Sequence, residues 1–423
     1  MRARLLLSLM LPSCVVAAPL PAAARDLASA VTDALAHAPA LAEAQAGEAA
    51  ARGRLDRARA EANPLLRVEA SVGTGRIDNG GFFGITADDV TPLAAQATAE
   101  MPLYAGGRIA AAIAQARGGA EAARFGTEQA RLQTVVGAVA AYAEVLTARK
   151  LTARFGQLVG ELTEVERQAG LRYKVGEIPS SELAQAKARR AEAEAGLAGA
   201  DGRLASAEAG FWRLTGQPAG ELDPLPPLPQ TPPTLDEALD MARHTNPLLR
   251  QAGAGVDAAR AGVRAAKAEG MPNVGAYAEA AHVRDQFFPG YKADSVAVGL
   301  RGRWTIFAGG RVASQIRTAD AELDAAEARA RATDDTLTGM VTDAWTGLAT
   351  ARRMTAASRL RTEAANEALR GTRLEMKVGA KPTLAVLDAE REAIEAEAAL
   401  LQAEGMQTVA AWTLNAVAGT LAP

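Results

Sequence analysis

Reactive side chains are scarce in this chain. It has one cysteine, Cys14, and three histidines, His37, His244 and His282. A lone cysteine excludes an internal disulfide and leaves no thiol chemistry beyond its own position. The histidines are scattered, with none of the spacings that gather ligands around a metal. "AGGR" lacks the lysine and hydroxyl residue of a phosphate loop, and no nucleophile motif is present. Aromatic residues make up only 4%, where a compact globule of 423 residues would need more large core side chains. The formal net charge of −3 gives no basic field for nucleic acid. Past the N-terminus no run approaches 18 apolar residues, so no transmembrane helix is expected. These gaps argue against an enzyme and imply no cofactor, no metal and no nucleic-acid partner.

Alanine is abundant instead, and it suits long helices packed closely side by side. At the N-terminus, Arg2 and Arg4 precede the apolar run Leu5 to Leu11, and "PAAA" at 21–24 follows. That order of charge, apolar core and small residues reads as a secretory signal over 1–24. "LPSC" at 11–14 also resembles a lipoprotein cleavage box, which leaves open whether Cys14 is lipidated or removed.

The chain says nearly the same thing twice. "LYAGGRIAA" at 103–111 is answered by "IFAGGRVAS" at 306–314, and "YKVGEIP" at 173–179 by "MKVGAKP" at 376–382, each 203 residues on. Upstream, Pro39 and Pro64 are answered by Pro247 and Pro272, at an offset of 208. The two offsets place five extra residues of the first half between Pro64 and Gly106. One ancestral unit has been duplicated. The first repeat is read as 25–216 and the second as 234–423. Between them 217–233 holds seven of the 20 prolines and is an irregular linker.

Two long spans, 103–178 and 290–381, contain no proline. In them Leu132, Val135, Val139, Tyr142 and Leu146, and again Leu337, Val341, Trp345 and Leu348, fall three or four apart. Such stripes predict coiled-coil packing. The first long helix is expected over about 105–172, roughly 100 Å at 1.5 Å per residue. Return helices over about 180–215 and 383–419, and further helices over about 27–62 and 235–270, would each span about half that height.

A period of two marks the strands. Leu66, Val68 and Val72 alternate with Arg67, Glu69 and Ser71; Ala95, Ala97 and Ala99 alternate with Gln96, Thr98 and Glu100. In the second half Val296, Val298 and Leu300 alternate with Arg301 and Arg303, and Val274, Ala276, Ala278 and Ala280 form a weaker set. Turn formers at 78–81 and 288–294 make two β-hairpins, 65–102 and 273–305. One face is apolar and the other charged, which fits a wall with lipid outside and water inside. Four strands cannot close, and an open edge cannot survive in lipid. A trimer supplies twelve strands, whereas a dimer's eight leave only a filled lumen. Arg67, Glu69, Gln96, Thr98, Glu100, Arg301 and Arg303 are the expected lumen residues.

The glycines of "GGR" stand where strand becomes helix, at Gly106, Gly107 and Arg108 and at Gly309, Gly310 and Arg311. They free the backbone to turn, and the arginines stay wet at the membrane edge. The helical tips fall at 171–181 and 373–383. Gly176 and Gly379 suit the left-handed residue after a helix, and Pro179 and Pro382 the first turn of the next.

With its signal, two halves, paired "GGR" junctions and paired "K-V-G-x-x-P" tips, the chain resembles the TolC-type outer-membrane efflux family over about 27–420. The resemblance implies a mainly α fold with a membrane β-barrel: a homotrimer with a 12-stranded barrel in the outer membrane and a long periplasmic α-helical barrel. It implies a passive exit duct that docks a periplasmic adaptor and an inner-membrane transporter. The tips, through Val175, Gly176, Pro179, Val378, Gly379 and Pro382, would meet the adaptor. The family's gate pattern "D-V-L-D-A" stands here as "AVLDA" at 385–389, so Ala385 replaces one acid and Asp388 keeps the other. Lys381 matches a basic residue of the family's latch, whose aromatic partner falls at Met376. A rival reading is a periplasmic coiled-coil scaffold or adaptor without a pore. Adaptors place one hairpin between two β-rich halves, whereas here strand pairs and hairpins repeat in tandem.

Overall fold

Eleven residues of amphipathic helix, α1 (Leu27–His37), come first among the described elements. The computed structural model describes residues 25–78 and 88–421; the expected signal with Cys14, and residues 79–81 of the first turn, lie outside the described residues. After α1 come α2 (Pro39–Ala60), β1 (Leu65–Val72), β2 (Gly75–Ile77), β3 (Asp88–Val90), β4 (Leu93–Tyr104), α3 (Arg108–Lys174) and α4 (Ser180–Thr215). The same order returns in α5 (Leu235–Thr245), α6 (Pro247–Ala268), β5 (Asn273–Arg284), β6 (Lys292–Arg303), α7 (Arg311–Lys377) and α8 (Thr383–Ala418). Helices α3 and α7 have 67 residues each, about 100 Å. Helices α4 and α8 have 36 each, about 54 Å.

The continuous helices expected over 27–62 and 235–270 are each broken in two. A residue before proline is pushed out of the α region by the ring. Ala38 (φ −60°, ψ 115°) and Asn246 (φ −64°, ψ 126°) are accordingly extended. Pro39 and Pro247 then open α2 and α6, where a missing N–H costs nothing. The second break is secured further. Asn246 accepts from the Leu248 amide at 2.8 Å and donates to the Val417 carbonyl at 2.7 Å.

The four long strands form one antiparallel sheet in the order β1-β4-β5-β6, with β4–β5 joining the two halves. Strands β2 and β3 lengthen the first hairpin. This leaves β1 and β6 as edges. Below the sheet, α3 packs on α2, α4, α6 and α8, and α7 on α6 and α8. Small residues permit that closeness. A Cβ at Gly118 of α3 would meet the Ala258 backbone nitrogen of α6 at 2.9 Å.

The apolar stripes bury as two clusters. Val139, Tyr142 and Val145 of α3 close on Phe211 of α4 and Leu27 of α1; Leu337, Val341 and Leu348 of α7 close on Leu414 of α8. The buried Tyr142 hydroxyl lies 2.8 Å from the Arg25 carbonyl and 2.7 Å from that of Asp223, so it ties the start of α1 to the linker. Burial first, then the charges of Asp223 and Asp26, pushes its pKa up to about 12 from 10.0. The neutral hydroxyl thus contributes stability that is complete below pH 10 and is lost as pH rises through about 12. Tyr142→Phe is expected to lower stability at neutral pH by about 0.5–1.5 kcal/mol, since it removes the hydroxyl's bonds to the part-buried carbonyls of Arg25 and Asp223. It should also flatten the alkaline limb, and urea unfolding at neutral and alkaline pH checks both effects.

Candidate functional site

Strand register puts the expected lumen residues on one face. Arg67 lies opposite Thr98 and Glu69 opposite Gln96. Thr98 and Glu100 lie opposite Glu279 and Tyr277, while Arg301 and Arg303 lie opposite Gly275 and Asn273. Polar contacts knit this face together. Gln96 donates to Glu279 at 2.8 Å, Arg67 lies 4.0 Å from Glu69, and Arg301 lies 3.2 Å from Glu100 with its guanidinium 4.4 Å over the Tyr277 ring. Glu279 and Tyr277 were not singled out in the sequence, although they alternate with the weak set Ala276, Ala278 and Ala280. The opposite face carries Leu66, Val68, Val72, Val296, Val298 and Leu300. Val296 is 81% exposed and Val298 79%, an apolar surface that water alone would not tolerate at this extent. Charge returns to that face only towards the β5–β6 turn, where His282 meets Asp294 at 2.6 Å.

At the strand-to-helix junctions both glycine pairs are left-handed: Gly106 φ 59° and Gly107 φ 87°, Gly309 φ 58° and Gly310 φ 85°. A Cβ at Gly106 would lie 2.4 Å from that of Met271, so close approach adds to the conformational demand there. The arginines are not simply left in water. Arg108 pairs with Glu61 at 2.8 Å and Arg311 with Glu269 at 3.1 Å, each acid lying just past the helix that precedes its hairpin. The two glutamates are 208 apart, the offset of the flanking prolines, and that is the signal that could have found them.

Both helical hairpins turn in the same way. Gly176 (φ 78°) and Gly379 (φ 77°) are left-handed, and the amides of Glu177 and Ala380 bond back to the carbonyls of Arg172 and Glu375 at 2.9 and 2.8 Å. This is the Schellman closure. Pro179 and Pro382 stand one residue earlier than expected, as N-caps of α4 and α8 rather than inside the first turn. Proline's fixed φ serves an extended cap equally well. Val175 and Val378 are 77% and 79% exposed at the outermost turn. Beneath them the tips differ. Ile178 is buried, whereas its counterpart Lys381 is half exposed and pairs with Glu375 at 3.0 Å.

Asp388 and Lys381 do not meet. The Asp388 carboxylate accepts from Arg189 of α4 at 2.8 Å, and Arg189 also holds Glu192 at 2.8 Å. One helical turn or less away, Glu390 is buried and accepts from Arg373 of α7 at 2.6 Å. Neither arginine was foreseen as a partner. Among the described residues no group of His, Cys, Asp and Glu is arranged to hold a metal ion, and no helix is long and apolar enough to cross a membrane.

The sequence profile of the family described as Outer membrane efflux protein matches residues 30–217 and 238–420. The outer membrane efflux protein BepC of Brucella suis is 30% identical over 290 residues, 68% of this chain. That match spans 63% of BepC's length. Among solved structures, the CmeC outer membrane channel of Campylobacter jejuni superposes with a TM-score of 0.81 at 15% identity, covering 93% of this chain and 85% of that one. The outer membrane protein VceC of Vibrio cholerae gives 0.77 at 22% identity, covering 93% and 96%. At such identities these likenesses speak for the fold.

Proposed function

The chain belongs to the outer membrane efflux protein family, and we propose that it works there as a trimeric, passive exit duct docked to a periplasmic adaptor and an inner-membrane transporter. Its location is the outer membrane. The observation that carries the reading is the unfinished sheet: four strands with open edges at β1 and β6 and an exposed apolar face. Lipid accepts the face, but unpaired edge groups in hydrocarbon would each cost several kcal/mol, roughly. Three copies closing edge to edge remove them. The long α3 and α7, about 100 Å each, carry the duct away from the membrane. No step of the duct's own work needs a nucleophile or a bound cofactor; energy enters at the pump.

A pore is the property that separates this reading from a coiled-coil scaffold. Outer-membrane fractions should yield a heat-modifiable trimer that conducts in planar bilayers. A well-folded trimer without conductance would overturn the duct. The sheet face gives a finer test. Val298→Lys is expected to cost roughly 2–4 kcal/mol near mid-membrane, and Thr98→Lys on the charged face much less. Urea titration of the trimer in lipid vesicles measures the difference; a larger cost for Thr98→Lys would mean that the faces are reversed, and equal costs that neither face meets lipid.

A further inference from the structure

Where the charged face of the sheet meets α2 and α3, a cavity of about 590 Å³ opens. That volume lies within the usual range for small-ligand sites, roughly 300–1,000 Å³. Its charge is unbalanced. Four arginines line it, Arg57, Arg108, Arg301 and Arg303, against two acids, Glu61 and Glu100. The acids are already engaged, Glu61 by Arg108 at 2.8 Å and Glu100 by Arg301 at 3.2 Å. Arg57 and Arg303 have no carboxylate partner among the described residues. The remaining wall is mostly apolar and aromatic, with Leu65, Tyr104 and Tyr277, and includes the amides of Asn63 and Asn273.

We propose that this cavity is a binding site for amphiphilic organic anions, a flat apolar body ending in a carboxylate or sulfonate. The proposal rests on the exit-duct reading, in which the charged face lines the lumen. Guanidinium groups match such oxyanions with paired N–H donors, and Arg57 and Arg303 stand exposed on the cavity wall to receive them. The aromatic wall accepts the apolar body, and Arg301 over Tyr277 shows that a planar group stacks there. The site thus gives the duct a preference for anionic amphiphiles at the base of its barrel. It lies far from Asp388, whose charge has the opposite sign.

The test is calorimetry of the purified full-length trimer in detergent at low salt, with naphthalene-2-sulfonate as probe and a naphthyl trimethylammonium ion of similar shape as control. The sulfonate is expected to bind and the ammonium ion not. Arg57→Gln with Arg303→Gln should weaken sulfonate binding at least tenfold, and lysine at both positions, which keeps the charges, should restore most of it. The glutamine and lysine variants are compared only as heat-modifiable trimers. If the glutamine pair fails to assemble, each single variant is titrated instead and is expected to lose part of the affinity. No sulfonate binding to the parent protein, equal binding of the cation, or unchanged affinity in the glutamine variants would overturn the site. Conductance of the parent trimer is read in parallel. A conducting trimer that ignores the sulfonate defeats the site alone, and a binding trimer that does not conduct defeats the duct alone.

Discussion

Replacing Val175 and Val378 together by aspartate is expected to abolish efflux while the trimer still assembles. Both valines stand at the outermost turn of a helical hairpin, more than three-quarters exposed, and make no part of the buried clusters. Their loss therefore leaves the fold's own packing alone. If the tips dock an adaptor, each valine is covered by that partner, and an unpaired carboxylate there must be stripped of water. Such burial costs several kcal/mol, roughly, and each 1.4 kcal/mol is a factor of ten in affinity. With both hairpins altered, every copy in the trimer presents two defects. Drug susceptibility of a complemented deletion strain reads the loss, and heat-modifiable mobility confirms assembly. Normal efflux with a normal trimer would sink the docking role of the tips.

Asp388→Asn is expected to lower cation selectivity and to raise the concentration of a trivalent cation needed for block at least tenfold. Threefold symmetry would set three such carboxylates around one axis, a ring that attracts cations. The Arg189 contact sharpens this expectation. At 2.8 Å the guanidinium offsets part of each Asp388 charge, so Arg189→Gln should act in the opposite direction and strengthen block. Both effects should fade as salt shortens the Debye length, to about 8 Å at physiological ionic strength. Single-channel recording with the cation on the helical side measures them. Unchanged selectivity and block in Asp388→Asn would place the selectivity ring elsewhere.

What could be read from the sequence follows the range over which each signal acts. The strands and the two long helices were visible because periods of two and of three to four residues are local, and because each occurs twice. Gly176 and Gly379 were visible because a left-handed residue after a helix nearly demands glycine. The breaks at Ala38 and Asn246 are within reach of the sequence, since Pro39 and Pro247 anchor the repeat. Deep inside a continuous helix each proline would cost about 3 kcal/mol, so each marks the first turn of a new helix instead. The contacts were another matter. Arg189 and Asp388 are 199 residues apart, Gln96 and Glu279 183, and Arg108 and Glu61 47. Such pairs depend on how helices and strands are set against one another in height, and no local period encodes that. The same holds for Tyr142, which reads as one more apolar stripe residue until its hydroxyl is seen to reach Arg25 and Asp223.

The equal lengths of α3 and α7, and of α4 and α8, carry an evolutionary corollary. An unfused half-chain could have closed the same twelve-stranded wall only as a hexamer, with one residue type repeated six times at every level. Fusion converts that ring into two interleaved sets of three, free to drift apart. The tips have done so. At one tip Ile178 is buried, an apolar packing that salt does not weaken. At the other tip its counterpart Lys381 instead pairs with Glu375, and salt screens that pair. A true six-fold iris would have to move all its blades at once. A pseudo-six-fold ring of three such chains would instead alternate the two kinds of tip, and raising salt should loosen only the Lys381 set.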